Sequence, residues 1–238
     1  MATIYHGSLD IIEQPNLQRS KPYNDFGKAF YCTESLEMAK EWACSEKKNG
    51  YANEYIIDNC DIEILDLTTK DFSVLDWIGT LLRYRIPNEL DGLEEENRQY
   101  LIENFSIDIN RYDIVYAYRA DDSYFAYARD FLGGNLALAN LVKAMNLGKL
   151  GTQVVVRTDK AISGMKFQRS IPVRASEYAK KYFDRDSKAR NEYKRINKRP
   201  SSTDLTMNQI FEKKVQRGDK ILQQSLYRGC SKKSWRLL

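Results

Sequence analysis

In the stretch Asp25-Phe-Gly-Lys-Ala-Phe-Tyr-Cys-Thr33, a loop holding Asp25 and Lys28 gives way to a compact β-type run, Ala29–Thr33. That run passes without a break into Glu34-Ser-Leu-Glu-Met-Ala-Lys-Glu-Trp-Ala-Cys44. Leu36, Ala39, Trp42 and Ala43 recur there at helical spacing, which predicts a helix with one apolar stripe. Thr33 reads as its N-cap, and Glu34 and Glu37 fall in the first turn, where the helix dipole favours carboxylates. A strand therefore feeds a helix. Upstream, Thr3-Ile-Tyr-His-Gly-Ser8 is a short β-favouring run ending in Gly-Ser, a strand that stops at a turn, and a polar loop with Pro15 and Pro22 separates the two strands.

Downstream, Tyr55–Asp58 and Ile62–Leu67 alternate as strands on either side of an Asp-Asn-Cys-Asp turn. Phe72 to about Asn104 reads as helical, with Trp77, Leu81 and Leu82 on one stripe and Glu94–Glu96 on a solvated face. Tyr112–Tyr118 is a strand, Ser123–Phe131 and Leu136–Asn146 are helix-like, and Thr152–Arg157 is a strand rich in β-branched residues. Strands gathered at both ends of a helical middle give an α+β class. From about Val173 a basic helical stretch, Ala175–Lys198, breaks at Arg199-Pro-Ser-Ser-Thr-Asp204 and resumes to about Leu226. The expected division is therefore a domain over residues 1–173 and a basic helical extension over 174–238.

The 238 residues, 42% hydrophobic, suit a folded globular chain. No leader-like or membrane-spanning run is read from them, and a cytoplasmic location without membrane contact is expected. Cys32, Cys44, Cys60 and Cys230 form no CxxC pair and only one histidine is present. Reduced thiols and no metal are expected. Charge divides sharply: residues 1–173 carry 19 Lys+Arg against 26 Asp+Glu, a net of −7, whereas residues 174–238 carry 18 against 7, a net of +11.

Three segments carry the chemistry in order: His6-Gly7-Ser8; Asp25 to Thr33 with its Ala-Lys-Glu-Trp-Ala helix; and Gln153 opening Val154-Val155-Val156. The set resembles the His-Tyr-Glu class of ADP-ribosyltransferases, the group of diphtheria toxin and the poly(ADP-ribose) polymerases. More narrowly it is similar to a family of bacterial ADP-ribosyltransferase-like domains of formerly unknown function. Tyr112-Asp-Ile-Val115, Ala120-Asp-Asp122 and Gln153–Ile162 fill that family's later motifs, and the likeness covers about residues 3–170. It implies a split β-sheet core that binds NAD, with His6, Tyr31 and Gln153 as catalytic residues. His6, Gly7, Ser8, Gly27, Phe30, Tyr31 and Thr33 would line the NAD site.

In that picture Gly7 lets a carboxamide approach the backbone, His6 and Ser8 bond ribose hydroxyls, and Tyr31 offers a face for nicotinamide. Gln153 stands where the better-known enzymes place glutamate. A glutamine cannot be a general base, so mono-ADP-ribosylation is expected rather than polymer formation. Transfer to water (an NAD glycohydrolase) and NAD or RNA binding without turnover are the alternatives. Asp25, Lys28 and Asp121 read either as contacts to NAD or acceptor or as loop-capping and solvated residues. Trp42 and Trp77 read as core. Arg83 and Arg85 read as surface residues rather than pyrophosphate ligands.

In the tail, Lys180, Lys181, Arg185, Lys188, Lys194, Arg195, Lys198 and Arg199 are interleaved with Tyr178, Tyr182, Phe183 and Tyr193. Cations neutralise phosphates and rings stack on bases, which suits single-stranded nucleic acid. Packing onto the acidic part of the chain, or onto an acidic protein, accounts for the same pattern. The resemblance and the tail together imply a bacterial toxin or phage-defence effector that modifies RNA, another nucleic acid or a translation-related protein. An antitoxin or chaperone partner is implied with it.

Overall fold

The computed structural model describes residues 1–44, 47–58, 61–86, 90–120, 122–145, 147, 151–196 and 199–222. Its first half runs β1 (Ala2–Ser8), β2 (Phe30–Cys32), α1 (Leu36–Ala43), β3 (Gly50–Ile57), β4 (Ile64–Asp66), α2 (Val74–Tyr84) and α3 (Gly92–Phe105). The second half runs β5 (Ile114–Tyr118), α4 (Asp122–Leu132), α5 (Leu138–Met145), β6 (Thr152–Val156), α6 (Asp159–Ser163), β7 (Met165–Val173), α7 (Ala175–Tyr193) and α8 (Met207–Glu212). The class is α+β, as expected. Two compact units are built from alternating pieces of chain: residues 1–69, 108–119 and 150–187 form one, and residues 70–107, 120–149 and 188–238 the other.

The first unit holds two sheets, one ordered β1-β3-β7 and one ordered β2-β6-β5-β4. All pairs are antiparallel except β4 with β5. Alternation along the strands sorts side chains onto two layers. Ile4, Tyr55 and Ile57 of one sheet meet Phe30, Cys32, Ile114, Val154 and Val156 of the other in a single buried cluster. On the opposite face of the first sheet, Ala39, Ala43 and Cys44 of the α1 region pack with Ala52, Val173, Tyr178 and Ala179. Helix α1 comes so close that a Cβ on Gly7 would stand 2.0 Å from the Ala39 carbonyl oxygen, and one on Gly50 would stand 2.4 Å from that of Ala43.

Parts of the expected organisation need correction. Ser35, not Thr33, caps α1 by accepting from the Met38 N–H; Thr33 is already used, exchanging backbone hydrogen bonds with Tyr5 at 2.8 and 2.9 Å. The strands on either side of the Asp-Asn-Cys-Asp turn are present, β3 in one sheet and β4 in the other. Strand β7 was not foreseen. Further on, α7 ends at Tyr193 rather than at 198; the later stretch holds the short α8, which stops before Lys214 at φ +51°, and helix resumes at residues 220–222, with the expected end near 226 outside the described residues. The compact units also cut across the boundary expected at Val173, because Tyr178 of α7 bonds Glu37 at 3.3 Å and packs with Ala39.

The second unit contains α2 to α5 and α8. Trp77, Leu81 and Leu82 are buried as their stripe predicts. Ser73 and Asp91 open α2 and α3 with reciprocal capping boxes. The guanidinium of Arg98 closes the end of α2, donating from Nε and Nη2 to the Leu82 carbonyl at 3.2 and 3.0 Å.

Asn53, fully buried on β3, holds the loop after β1 in the first unit. Its amide nitrogen donates to Ser8 Oγ at 3.1 Å and to the Asp10 carbonyl at 3.1 Å, and its oxygen accepts from the Ile12 N–H at 3.2 Å. Replacing Asn53 with alanine strands the Ile12 N–H and leaves the Asp10 carbonyl with the Ser8 hydroxyl alone. The expected loss is about 2 kcal/mol, read as a lower melting temperature; an unchanged melt would show that the loop does not depend on this side chain.

Candidate active site

The site is assembled where the two sheets touch. The Tyr5–Thr33 bridge clamps β1 to β2, which sets His6 beside Tyr31. His6 Nδ1 lies 2.7 Å from the Tyr31 carbonyl oxygen. A carbonyl only accepts, so Nδ1 carries a proton and Nε2 of the neutral ring is left as the acceptor. The imidazole stacks on Phe30 with centroids 4.3 Å apart. Burial lowers the His6 pKa below its ordinary 6.5, and the bond to the Tyr31 carbonyl opposes this less strongly.

The sign follows from linkage. The unfolded chain takes up the proton more readily, so His6 adds stability as pH rises, and that stability is lost as pH falls from 6.5 through the lowered value. Between about pH 7 and pH 5 the wild type is expected to lose more melting temperature than a His6→Gln variant. Parallel pH profiles would show that His6 is not buried as described.

Tyr31 points away from the cluster that holds Phe30 and Cys32, and its hydroxyl is a clamp. It accepts from the Phe26 N–H at 3.0 Å and donates to the Gly27 carbonyl at 2.7 Å. Gly27 has φ +75°, a conformation that glycine adopts without strain, and Phe26 is fully buried as the anchor of this loop. The same loop delivers Asp25 to Gln153.

Gln153, opposite Ala117 at the start of β6, is 3% exposed. Its Nε2 donates to Asp25 Oδ2 at 3.1 Å and to the Tyr118 carbonyl at 3.1 Å. Both N–H groups are thereby engaged, so a hydroxyl arriving here would meet the amide oxygen as its acceptor.

Of the expected NAD-site residues, His6 is joined to Phe30 and to the Tyr31 carbonyl, the Tyr31 hydroxyl is joined to Gly27, and the loop that Tyr31 clamps carries Asp25 to Gln153. Thr33 is structural: its hydroxyl donates to the Thr152 carbonyl at 3.1 Å and accepts from the Ser35 N–H at 3.2 Å. Ser8 is held by Asn53 and donates to the Asp10 carbonyl at 2.6 Å. The absence of a side chain at Gly7 is demanded by α1 on that face of β1, whatever a ligand requires. Lys28 is exposed, and Asp121 lies outside the described residues. Sequence reasoning did not foresee Asn53 or the pairing of Asp25 with Gln153, whose positions are 128 residues apart.

The basic residues of the tail divide. Arg185 Nη2 stands 2.5 Å from Glu41 Oε2, and Lys181 is 4.0 Å from Glu37 and 3.7 Å from Glu177. These two cations are drawn to α1. Lys180, Lys188, Lys194, Arg195 and Arg199 are exposed, and Lys198 lies outside the described residues. Cys32 and Cys44 are buried free thiols; Cys60 and Cys230 also lie outside. Among the described residues no helix is long and apolar enough to cross a membrane, and no group of three or more His, Cys, Asp or Glu could hold a metal ion.

No curated protein and no solved structure matches the chain. A family described as "Protein of unknown function (DUF3990)" matches residues 2–167, a span that includes β1 to β6, the first three residues of β7 and His6, Asp25, Tyr31 and Gln153. By that match, which covers well over half of its length, the chain belongs to the DUF3990 family.

Proposed function

We propose that the protein is an NAD-dependent mono-ADP-ribosyltransferase with its reaction centre at His6, Tyr31, Asp25 and Gln153. One observation carries the reading: the loop clamped by the Tyr31 hydroxyl brings the Asp25 carboxylate to the Gln153 amide, while the Tyr31 carbonyl fixes the His6 ring. The residues fit a dinucleotide substrate. His6 Nε2 and Gln153 Oε1 are acceptors suited to ribose hydroxyls, and the Phe30 ring stacks on His6.

In the transfer, the bond between nicotinamide and ribose breaks and its electron pair leaves with nicotinamide. The acceptor atom bonds to the ribose carbon, and its proton goes to a base. Asp25 is that base. It supplies the carboxylate that glutamine cannot, and Gln153 orients it. Acceptance of the ribose hydroxyl by Gln153 Oε1 strengthens as positive charge builds on the sugar, which stabilises the transition state more than the ground state.

The acceptor class follows from charge. Lys180, Lys188, Lys194 and Arg195 remain exposed along and just after α7, which favours a polyanion, RNA first, and with it a toxin or defence role and a neutralising partner.

Incubation with labelled NAD and cell lysate, followed by separate RNase, DNase and protease treatment, tests the reading. Label in a macromolecule that RNase releases is the expected result. Label found only as free ADP-ribose makes the protein a glycohydrolase, and intact NAD makes the site a binding site without turnover.

A further inference from the structure

Arg119 follows Tyr118, the residue whose carbonyl accepts from Gln153. Its guanidinium carbon stands 4.8 Å from the centre of the Trp42 ring and 6.0 Å from that of Tyr182. Among the described residues this guanidinium has no hydrogen bond and no ion pair, and Arg119 is partly exposed. Three buried donors here make no hydrogen bond, Arg119 Nη1, Trp42 Nε1 and Arg185 Nε, and one buried acceptor, Glu41 Oε2, makes none either. The neighbouring carboxylate, Glu41, is ion-paired with Arg185 Nη2 and also feels the charge of Arg119, and Arg185 Nη1 contacts Met38 Sδ at 3.0 Å. Positive charge is thus left over beside a flat aromatic wall.

The position of this group matters as much as its charge. Trp42 Cβ lies 2.9 Å from where a Gly7 side chain would begin, so Trp42 packs on the α1 face of β1, opposite the face that carries the His6 ring, and Arg119 is the next residue after the Tyr118 carbonyl that Gln153 bonds. We propose that Arg119, stacked on Trp42 and flanked by Tyr182 and Arg185, is a subsite for the diphosphate of a nucleotide. A guanidinium presents paired N–H donors that match phosphate oxygens, and its contact with an indole face fixes its plane without using those donors. The cation-π contact keeps the charge in place where two guanidinium groups, Arg119 and Arg185, share the Glu41 carboxylate. The choice of a diphosphate over a simple anion rests on reading the neighbouring site as a dinucleotide cleft.

Calorimetry on the full chain with ADP, adenosine and inorganic pyrophosphate tests this. ADP is expected to bind at least tenfold more tightly than adenosine, about 1.4 kcal/mol, and pyrophosphate to compete with it. Arg119→Gln should erase the preference. Arg119→Lys, which keeps the charge but not the fork, should restore only part of it and serves if the glutamine variant does not fold. Equal binding of ADP and adenosine by the wild type, or full ADP preference in both Arg119 variants, overturns the subsite. Loss of the preference in Lys180→Gln with retention in Arg119→Gln also overturns it, since that is diffuse charge attraction. Nicotinamide release separates the two ideas. Arg119-dependent ADP binding without release leaves the subsite standing and removes the transferase, whereas release with no ADP preference does the reverse.

Discussion

Gly7→Ala is expected to remove most of the folded protein, at a cost above about 3 kcal/mol. The new methyl would stand 2.0 Å from the Ala39 carbonyl oxygen, 2.7 Å from the Ala43 nitrogen and 2.9 Å from Trp42 Cβ. Two of these are backbone atoms, so no rotamer change relieves the clash. Helix α1 has to lift from β1, which opens the cluster of Ala39, Ala43, Cys44, Ala52 and Val173 and moves Glu37 and Glu41 away from Lys181 and Arg185. Gly50→Ala acts in the same direction, with contacts of 2.4 and 2.6 Å to the Ala43 and Ser8 carbonyl oxygens. Gly92→Ala is the control: it opens α3, meets nothing within 4 Å, and is expected to gain a few tenths of a kcal/mol. Thermal melts of the three variants decide the matter. A Gly7→Ala protein that melts with the wild type would mean that α1 does not rest on β1.

The same glycine shows what was legible in the sequence. His6-Gly7-Ser8 drew attention as a ligand motif, and the strand was placed within a residue of its observed start. The packing reason for Gly7 was hidden, because it depends on a helix more than 30 residues away. Strand β7 was missed for a local reason. Its pairing skips a residue, Glu54 meeting Arg169 while Tyr55 meets Phe167, so Gln168 has no partner. That bulge breaks the period-2 signal, and Pro172 weakens it further. The start of β3, Gly50-Tyr-Ala-Asn-Glu, is poor in β-branched residues. It is a strand because Gly50 and Ala52 make room for α1, a tertiary cause that propensity does not carry.

The candidate site divides along the same line. His6, Tyr31 and Gln153 could be selected by residue type and order. What each one bonds to could not, since the loop that the Tyr31 hydroxyl closes carries Asp25 to Gln153 only once β2 has paired with β6. The charge break near Val173 was visible, and two of its cations, Lys181 and Arg185, turn out to face the Glu37 and Glu41 carboxylates of α1. A count of charges cannot distinguish a face held by its own fold from one left for a ligand.

Asp25→Asn is expected to lower ADP-ribose transfer by about 100-fold or more, the range of a lost general base, with ADP binding changed little and the Gln153 hydrogen bond kept through the amide oxygen. Gln153→Glu separates this assignment from one in which position 153 itself lacks a base. If Asp25 were only a loop cap, a glutamate at 153 would restore the missing carboxylate and raise turnover. With Asp25 Oδ2 standing 3.1 Å from Gln153 Nε2, the new carboxylate instead faces an existing one, and Asp25 and the Tyr118 carbonyl each lose a donor. Two buried carboxyls this close share one proton, which raises the pKa of one of them above the ordinary carboxylate value. A carboxyl raised by folding contributes stability that is present at low pH and lost as pH rises through the raised value. The variant should therefore melt well below the wild type at neutral pH and approach it toward about pH 4, with transfer reduced throughout the neutral range. A Gln153→Glu protein that matches the wild type in stability at neutral pH and exceeds it in turnover would remove Asp25 from the chemistry.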